Sequence, residues 1–123
     1  MKIAGKEIGF KRTVLANCRL TEIAPDRNIA RFFQEKISST DYAEAQMAAA
    51  QFISVLNEGY EQAKRFEDLG YTPAPIPADA LLSLTDEEFS ELYNEALRVY
   101  MSDGKTTVEV EAPKGKKTAK PRR

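Results

Sequence analysis

The fold is decided by residues 41–70, which read DYAEAQMAAAQFISVLNEGYEQAKRFEDLG. Apolar side chains recur along this stretch at intervals of three and four residues, the spacing that places them on one side of an α-helix. They are Tyr42, Ala45, Ala49, Phe52, Ile53, Leu56, Tyr60, Ala63 and Phe66. Asp41 and Glu44 form an acidic counterpart of the capping box. The stretch predicts one helix of about 30 residues that ends near Gly70.

Gly59 lies inside this predicted helix. Glycine costs about 1 kcal/mol relative to alanine in a helix interior, so the sequence indicates a bend or a pause at this position.

Two shorter helices are predicted before residue 41. Residues 11–23 have the apolar spacing of a helix through Val14, Leu15, Cys18 and Ile23, and Pro25 ends the pattern. Asp26 is a candidate N-cap for the next helix. The apolar positions of that second helix are Ile29, Phe32, Phe33 and Ile37. Upstream of both, the apolar residues Ile3, Ile8 and Phe10 surround a glycine-containing turn, which predicts a short β-hairpin.

Proline defines the boundary after the long helix. Residues 71–77 carry a proline at positions 73, 75 and 77, which predicts an extended connector, and residues 78–83 predict a single helical turn. Thr85 and Glu88 then form a capping box, so a last helix starts at Asp86, and Gly104 is placed to end it as a left-handed cap. The buried stripe of that helix comprises Phe89, Leu92, Tyr93, Ala96, Val99 and Tyr100.

Charge separates the C-terminal end from the rest of the chain. The first 113 residues carry 12 basic and 19 acidic side chains, a net charge of −7, whereas residues 114–123 add six positive charges. Residues 106–111 alternate weakly like a strand, and residues 113–123 contain no large apolar side chain to anchor them. We therefore expect a mainly α protein: one domain over residues 1–112, with about four helices and a short N-terminal β-hairpin, and a disordered basic tail over residues 113–123.

Residues that commonly carry catalysis are scarce. Histidine is absent from all 123 residues, which removes the usual proton-transfer group and the commonest metal ligand. Cys18 has apolar helical neighbours and no histidine base, so it is expected to be buried and inert. The acids of residues 86–91 are explained by helix capping without a metal ion. We therefore expect no catalytic, cofactor-binding or metal site, and a protein that is not an enzyme.

No apolar run approaches the roughly 18 residues that a membrane-spanning helix needs. The single cysteine cannot form an internal disulfide, and no apolar leader is recognisable, so an intracellular setting is expected.

Aromatic residues are the most informative candidates for function. Phe32 and Phe33 are adjacent, so a regular helix can turn only one of them fully into its core. Tyr60, Phe66 and Tyr71 gather near the end of the long helix, where a small domain has little core left to cover them. Either the helices cover one another, or these five side chains border an apolar surface for another protein.

The order of these features resembles the tail assembly chaperones of long-tailed, siphovirus-type bacteriophages and prophages. The features are a lysine-rich N-terminal hairpin, an alanine-rich helix leading into NEGYE (57–61), the proline connector, LSLTDEEF (82–89), KTTVEV (105–110) and a lysine-rich end. The resemblance covers most of the chain and rests on the order of these features and on short local sequences. It implies a non-enzymatic protein of the host bacterial cytoplasm, absent from the mature virion, that binds the tape-measure protein and recruits tail-tube subunits.

Alternative functions stay open from the sequence. A structural phage protein, such as a minor tail or head-tail connector subunit, would share the helical character. A nucleic-acid accessory protein could use the basic tail as an electrostatic arm, but the tail lacks interleaved aromatic residues and the acidic body would repel phosphates. An exposed apolar stripe also allows self-association.

Overall fold

The computed structural model describes residues 1–105, with side chains to Ser102. In chain order the elements are β1 (Lys2–Ile3), β2 (Lys6–Glu7), α1 (Val14–Ile23), a 3-10 turn (Pro25–Arg27), α2 (Ile29–Arg31), a π-helical segment (Phe32–Ile37), α3 (Tyr42–Glu67), α4 (Ala78–Leu81) and α5 (Asp86–Lys105). The predicted class, mainly helical with an N-terminal antiparallel hairpin, is confirmed. The strand predicted over residues 106–111 and the tail over residues 113–123 lie outside the described residues.

The long helix α3 is the centre of the structure. It runs without interruption through Gly59, so the predicted pause at this position is wrong. A Cβ at Gly59 would lie 2.6 Å from the Lys11 carbonyl oxygen and 2.8 Å from the Thr13 Oγ1 atom. Glycine is therefore present because another segment crosses the helix there, and not because the helix stops.

The segment that crosses Gly59 also sets the start of α1. The Lys11 amide donates to the Leu56 carbonyl at 3.0 Å, and the Thr13 hydroxyl accepts the Ala16 amide at 3.1 Å as an N-cap. The helix therefore begins at Val14 and not at Lys11.

The buried face of α1 differs from the prediction. Ala16 and Leu20 are fully buried, whereas Val14 is 80% exposed and Cys18 is exposed, so the prediction of a buried cysteine is wrong. The reason is the orientation of α1 about its own axis, which turns Ala16 towards Gly59 of α3. Arg19 on α1 pairs with Glu58 of α3 at 3.2 Å.

The second helical region also starts differently. Asp26 adopts a left-handed conformation with φ of 53° inside the 3-10 turn, so it is not the N-cap of α2. Asn28 takes that role, because its side-chain oxygen accepts the Arg31 amide at 3.3 Å.

At the other end of the chain, α5 continues through Gly104 to Lys105, so the predicted stop at Gly104 is wrong.

Aromatic rings fill the centre of the core. The ring of Phe52 on α3 lies 5.3 Å from Phe33, 5.9 Å from Tyr93 and 5.5 Å from Tyr100, measured between centroids. These edge and tilted contacts join the π-helical segment, α3 and α5.

Arg12 holds α5 near its C-terminal end. Its guanidinium lies 3.9 Å from the Tyr100 ring centroid and donates to the Tyr100 carbonyl at 3.1 Å.

None of the helices within residues 1–105 combines the length and the apolar content that crossing a bilayer requires.

Candidate protein-binding surfaces

The five aromatic residues predicted to contact a partner do not form one surface. Phe32 is 1% exposed, and Phe33 is half-buried between Phe52 and Tyr100. Both rings point inward because they lie on a π-helical segment, whose wider turn reduces the angle between successive side chains. The expectation that one of this pair needs an external partner is therefore wrong.

Tyr60 and Tyr71 lie close together at the side of α3. The Tyr60 ring packs so closely on Gly9 that a Cβ there would lie 2.4 Å from it. The Tyr71 hydroxyl donates to Glu61, and this hydrogen bond raises the pKa of the tyrosine. Lys64 Nζ lies 5.5 Å from the Tyr60 ring centroid and 4.6 Å from that of Tyr71. Both rings are half-buried and serve contacts within the chain.

Phe66, the last apolar residue of the α3 stripe, lies outside the core. It is 86% exposed, and Leu69, three residues later, is 79% exposed. Leu69 lies in a turn closed by the Tyr71 amide, which donates to the Asp68 carbonyl at 2.9 Å. Every residue from 65 to 70 is exposed, and we call this segment the α3 tip. The α3 tip presents two large apolar side chains to solvent.

The connector of residues 71–77, which we call the strap, contains no helix and lies back along α3. Three side chains spaced along α3 hold it. Ser54 Oγ donates to the Ile76 carbonyl at 2.7 Å, and the Glu61 carboxylate accepts the Ala74 amide at 3.0 Å. Asn57, which is 2% exposed, accepts the Ile76 amide at 2.8 Å. The strap is thus fixed by hydrogen bonds along most of its length.

The NEGYE sequence at 57–61 is accounted for by these contacts. Asn57 and Glu61 hold the strap, Glu58 pairs with Arg19, Gly59 admits the Lys11 segment, and Tyr60 covers Gly9. Each of its five residues therefore has a role within the fold.

An apolar groove of about 470 Å³ lies between the hairpin and the strap. It is lined by Ile3, Ala4, Lys6, Ile8, Ala74, Pro75, Ile76, Pro77, Ala80, Leu81 and Leu84. The sequence gives no sign of this groove, because its residues come from three separate segments. The only local signals are the apolar residues of the hairpin and an isoleucine set between two prolines.

Chemistry-bearing side chains are not clustered in the described part of the chain. Among residues 1–102 no group of three or more acidic or cysteine side chains is arranged to hold a metal ion. Of the acids at the start of α5, Glu88 acts as a cap: the Thr85 amide donates to Glu88 Oε1, and the Glu88 amide donates to Thr85 Oγ1, each at 3.2 Å. This is the predicted capping box.

No protein-family model, curated protein or solved structure matches this chain.

Proposed function

We propose that this chain is a non-enzymatic protein-binding protein, and that it acts as a tail assembly chaperone of a long-tailed bacteriophage. In this role it binds the tape-measure protein in the host cytoplasm, brings tail-tube subunits to it and leaves before the virion is complete. The phage assignment rests on the resemblance of the chain's layout and local sequences to that family.

The observation that carries the binding function is the α3 tip. Two large apolar side chains, Phe66 and Leu69, are almost fully exposed three residues apart. Single exposed apolar residues are ordinary on protein surfaces, but two that lie close together at the end of a helix offer an apolar contact to another protein. Glu67 and Asp68 lie between them, so the patch is apolar with an acidic border.

Co-expression with the tape-measure and tail-tube proteins encoded by neighbouring genes tests the proposal. We expect both to co-purify with the affinity-tagged chain. A double variant, Phe66→Ser with Leu69→Ser, should lose the clients while its unfolding free energy changes by no more than about 0.5 kcal/mol, because exposed side chains contribute little to stability.

A matched control uses exposed apolar residues at the opposite end of the same helix. Tyr42 is 69% exposed and Met47 is 57% exposed, so Tyr42→Ser with Met47→Ser removes a similar amount of apolar surface. This control should retain the clients. Failure of the wild-type chain to recover either client would contradict the chaperone proposal, and finding the chain in purified virions would favour a structural subunit instead.

A further inference from the structure

The floor of the groove between the hairpin and the strap is formed by buried apolar side chains. Ile3, Ile8 and Leu81 are each no more than 5% exposed, and Ile76 and Leu84 form half-buried sides. Among the described residues that line the groove, Lys6 alone is charged.

Asn57 ties the two sides of this groove together. Its Nδ2 donates to the Gly9 carbonyl at 2.9 Å, next to Ile8 on the hairpin side. Its Oδ1 accepts the Ile76 amide at 2.8 Å on the strap side. Because one buried amide bonds both walls, the groove is formed before any occupant enters, as is usual for binding sites.

The strap side cannot pair with an extended peptide. A β-ladder needs alternating N–H donors and carbonyl acceptors along the edge. Pro73, Pro75 and Pro77 have no N–H, and the amides of Ala74 and Ile76 are already bonded to Glu61 and Asn57.

The hairpin side presents no strand edge for β-pairing with a peptide either. Ile3 is the cross-strand partner of Lys6, so these two side chains share one face of the hairpin. Both line the groove together with Ile8. The groove is therefore bordered by the face of the hairpin, where side chains project, and not by an edge with backbone groups available for pairing.

A segment that enters the groove finds no backbone hydrogen-bond partners in either side, and an α-helix fits this condition because it satisfies its own backbone hydrogen bonds. The charge in the lining adds a second condition. Lys6 is exposed and forms no ion pair with any described residue, whereas Lys2 on the other strand lies opposite Glu7. We propose that the groove binds an amphipathic helix of a partner protein, with apolar residues at three- and four-residue spacing and an acidic residue beside them that pairs with Lys6. This inference rests on the protein-binding function proposed above, but it concerns a surface separate from the α3 tip.

Titration of the isotopically labelled full chain with designed helices tests this inference. The probes are synthetic amphipathic peptides of about 18 residues, long enough for five helical turns. They share one leucine stripe and differ in carrying glutamate or lysine beside it, and a third glutamate peptide has a central proline that breaks the helix. We expect the glutamate peptide to shift the methyl resonances of Ile3, Ile8, Leu81 and Leu84 and to leave Leu69 unchanged. Its Kd should be about tenfold lower than that of the lysine peptide, equivalent to about 1.4 kcal/mol.

Two pairs of variants locate the site without disturbing the core. Ala80 is exposed at the groove, so Ala80→Arg should block it and weaken binding about tenfold or more, whereas Ala43→Arg on the exposed first turn of α3 should not. Lys6→Glu should reverse the preference towards the lysine peptide, and Lys11→Glu should leave it unchanged.

The proposal is overturned if no peptide shifts the groove methyls, if the proline peptide binds as well as the helical one, or if Ala80→Arg has no effect. It is also overturned if the free chain forms a dimer that Ala80→Arg abolishes, since a second copy would then be the occupant. The phage function fails separately, when neither client co-purifies although the glutamate peptide binds in the groove.

Discussion

Asn57 is the residue at which the hairpin, α3 and the strap meet. Its side chain donates to Gly9 and accepts from Ile76 while being 2% exposed. Among side chains of this size only an amide offers a donor and an acceptor on one planar head, so aspartate would lack the donor and leucine would lack both.

Asn57→Ala should lower the unfolding free energy by about 2 kcal/mol, because it leaves a carbonyl and an amide without their partner in a partly buried position. Urea denaturation measures the change. Asn94→Ala, at an exposed position of α5, is the control and should be neutral or slightly stabilising because alanine is the better helix former. Equal effects of the two substitutions would contradict the role of Asn57.

Gly59→Ala should destabilise the protein by about 1–3 kcal/mol although alanine favours helices, because the added methyl would overlap the Lys11 carbonyl and the Thr13 hydroxyl. Thermal or urea denaturation tests the sign. The reverse substitution Ala43→Gly, in the exposed first turn of the same helix, should cost no more than about 1 kcal/mol, the value for a helix interior, because it changes helix propensity alone. A stabilised Gly59→Ala variant would show that the crossing segment is not held at this distance.

Phe33→Ala should cost about 3 kcal/mol, since its ring packs against Phe52 and Tyr100. Phe66→Ala should change the unfolding free energy by no more than about 0.5 kcal/mol, since that ring is 86% exposed. Two phenylalanines that look equivalent in the sequence are thus expected to differ, one acting in the core and the other at the surface. Comparable losses in urea denaturation would contradict this division.

At the scale of the element, the start of α3 joins two helical segments. Asp41 Oδ1 accepts the Glu44 amide at 3.1 Å as the N-cap. The Glu44 carboxylate then accepts hydrogen bonds from Ser39 at 2.6 Å and from Lys36 at 3.1 Å, on the preceding segment. The bond from Ser39, followed by that from Lys36 and its charge, lowers the pKa of Glu44. The first turn of α3 is thereby linked to the end of the π-helical segment.

These bonds predict a pH dependence. A carboxylate whose pKa is lowered in the folded state contributes stability that is complete above its ordinary pKa of 4.5 and is lost as the pH falls through the lowered value. The difference in unfolding free energy between the wild type and Glu44→Gln should therefore shrink as the pH falls below about 4.5. Urea denaturation across that range measures it. Glu91→Gln is the control, because Glu91 is exposed and forms no ion pair with described residues, and a parallel trend there would contradict the assignment.

At the scale of the whole molecule, all residues of the hydrophobic core lie between positions 3 and 100 in the part of the chain that the structure describes. Deleting residues 113–123 should therefore leave the helical circular dichroism and the urea midpoint unchanged, although it changes the net charge from −1 to −7. A lower midpoint would show that these residues stabilise the folded body.

Much of the architecture was predictable because it depends on local chemistry. The spacing of apolar residues located α3, the prolines at 73, 75 and 77 marked the strap, and the capping residues Asp41 and Thr85 marked two helix starts. The errors at Asp26 and Gly59 have one cause: each residue was interpreted from its own propensity, whereas the adjoining turn decided the conformation of Asp26 and a crossing segment explains the glycine at position 59. At Gly104 the helix α5 continues to Lys105.

The candidate surfaces were less predictable. Phe66 was a candidate from the sequence, because a small domain has little core left to cover the end of the long helix, and its ring is 86% exposed. The groove was not found, because it exists only where the hairpin, the strap and α4 meet. The inward position of Phe33 was also missed, since a π-helical turn leaves no mark in the apolar spacing.

By itself, the sequence determined that this protein is mainly helical, that α3 dominates it and that a proline strap follows α3, because spacing, caps and prolines act within a few residues. Only the tertiary structure decided which side of α1 is buried, why Gly59 lies inside a helix, and that Asn57 joins the two walls of an apolar groove. These features depend on atoms that are far apart in the chain and in contact in space, and no local pattern encodes such a pairing.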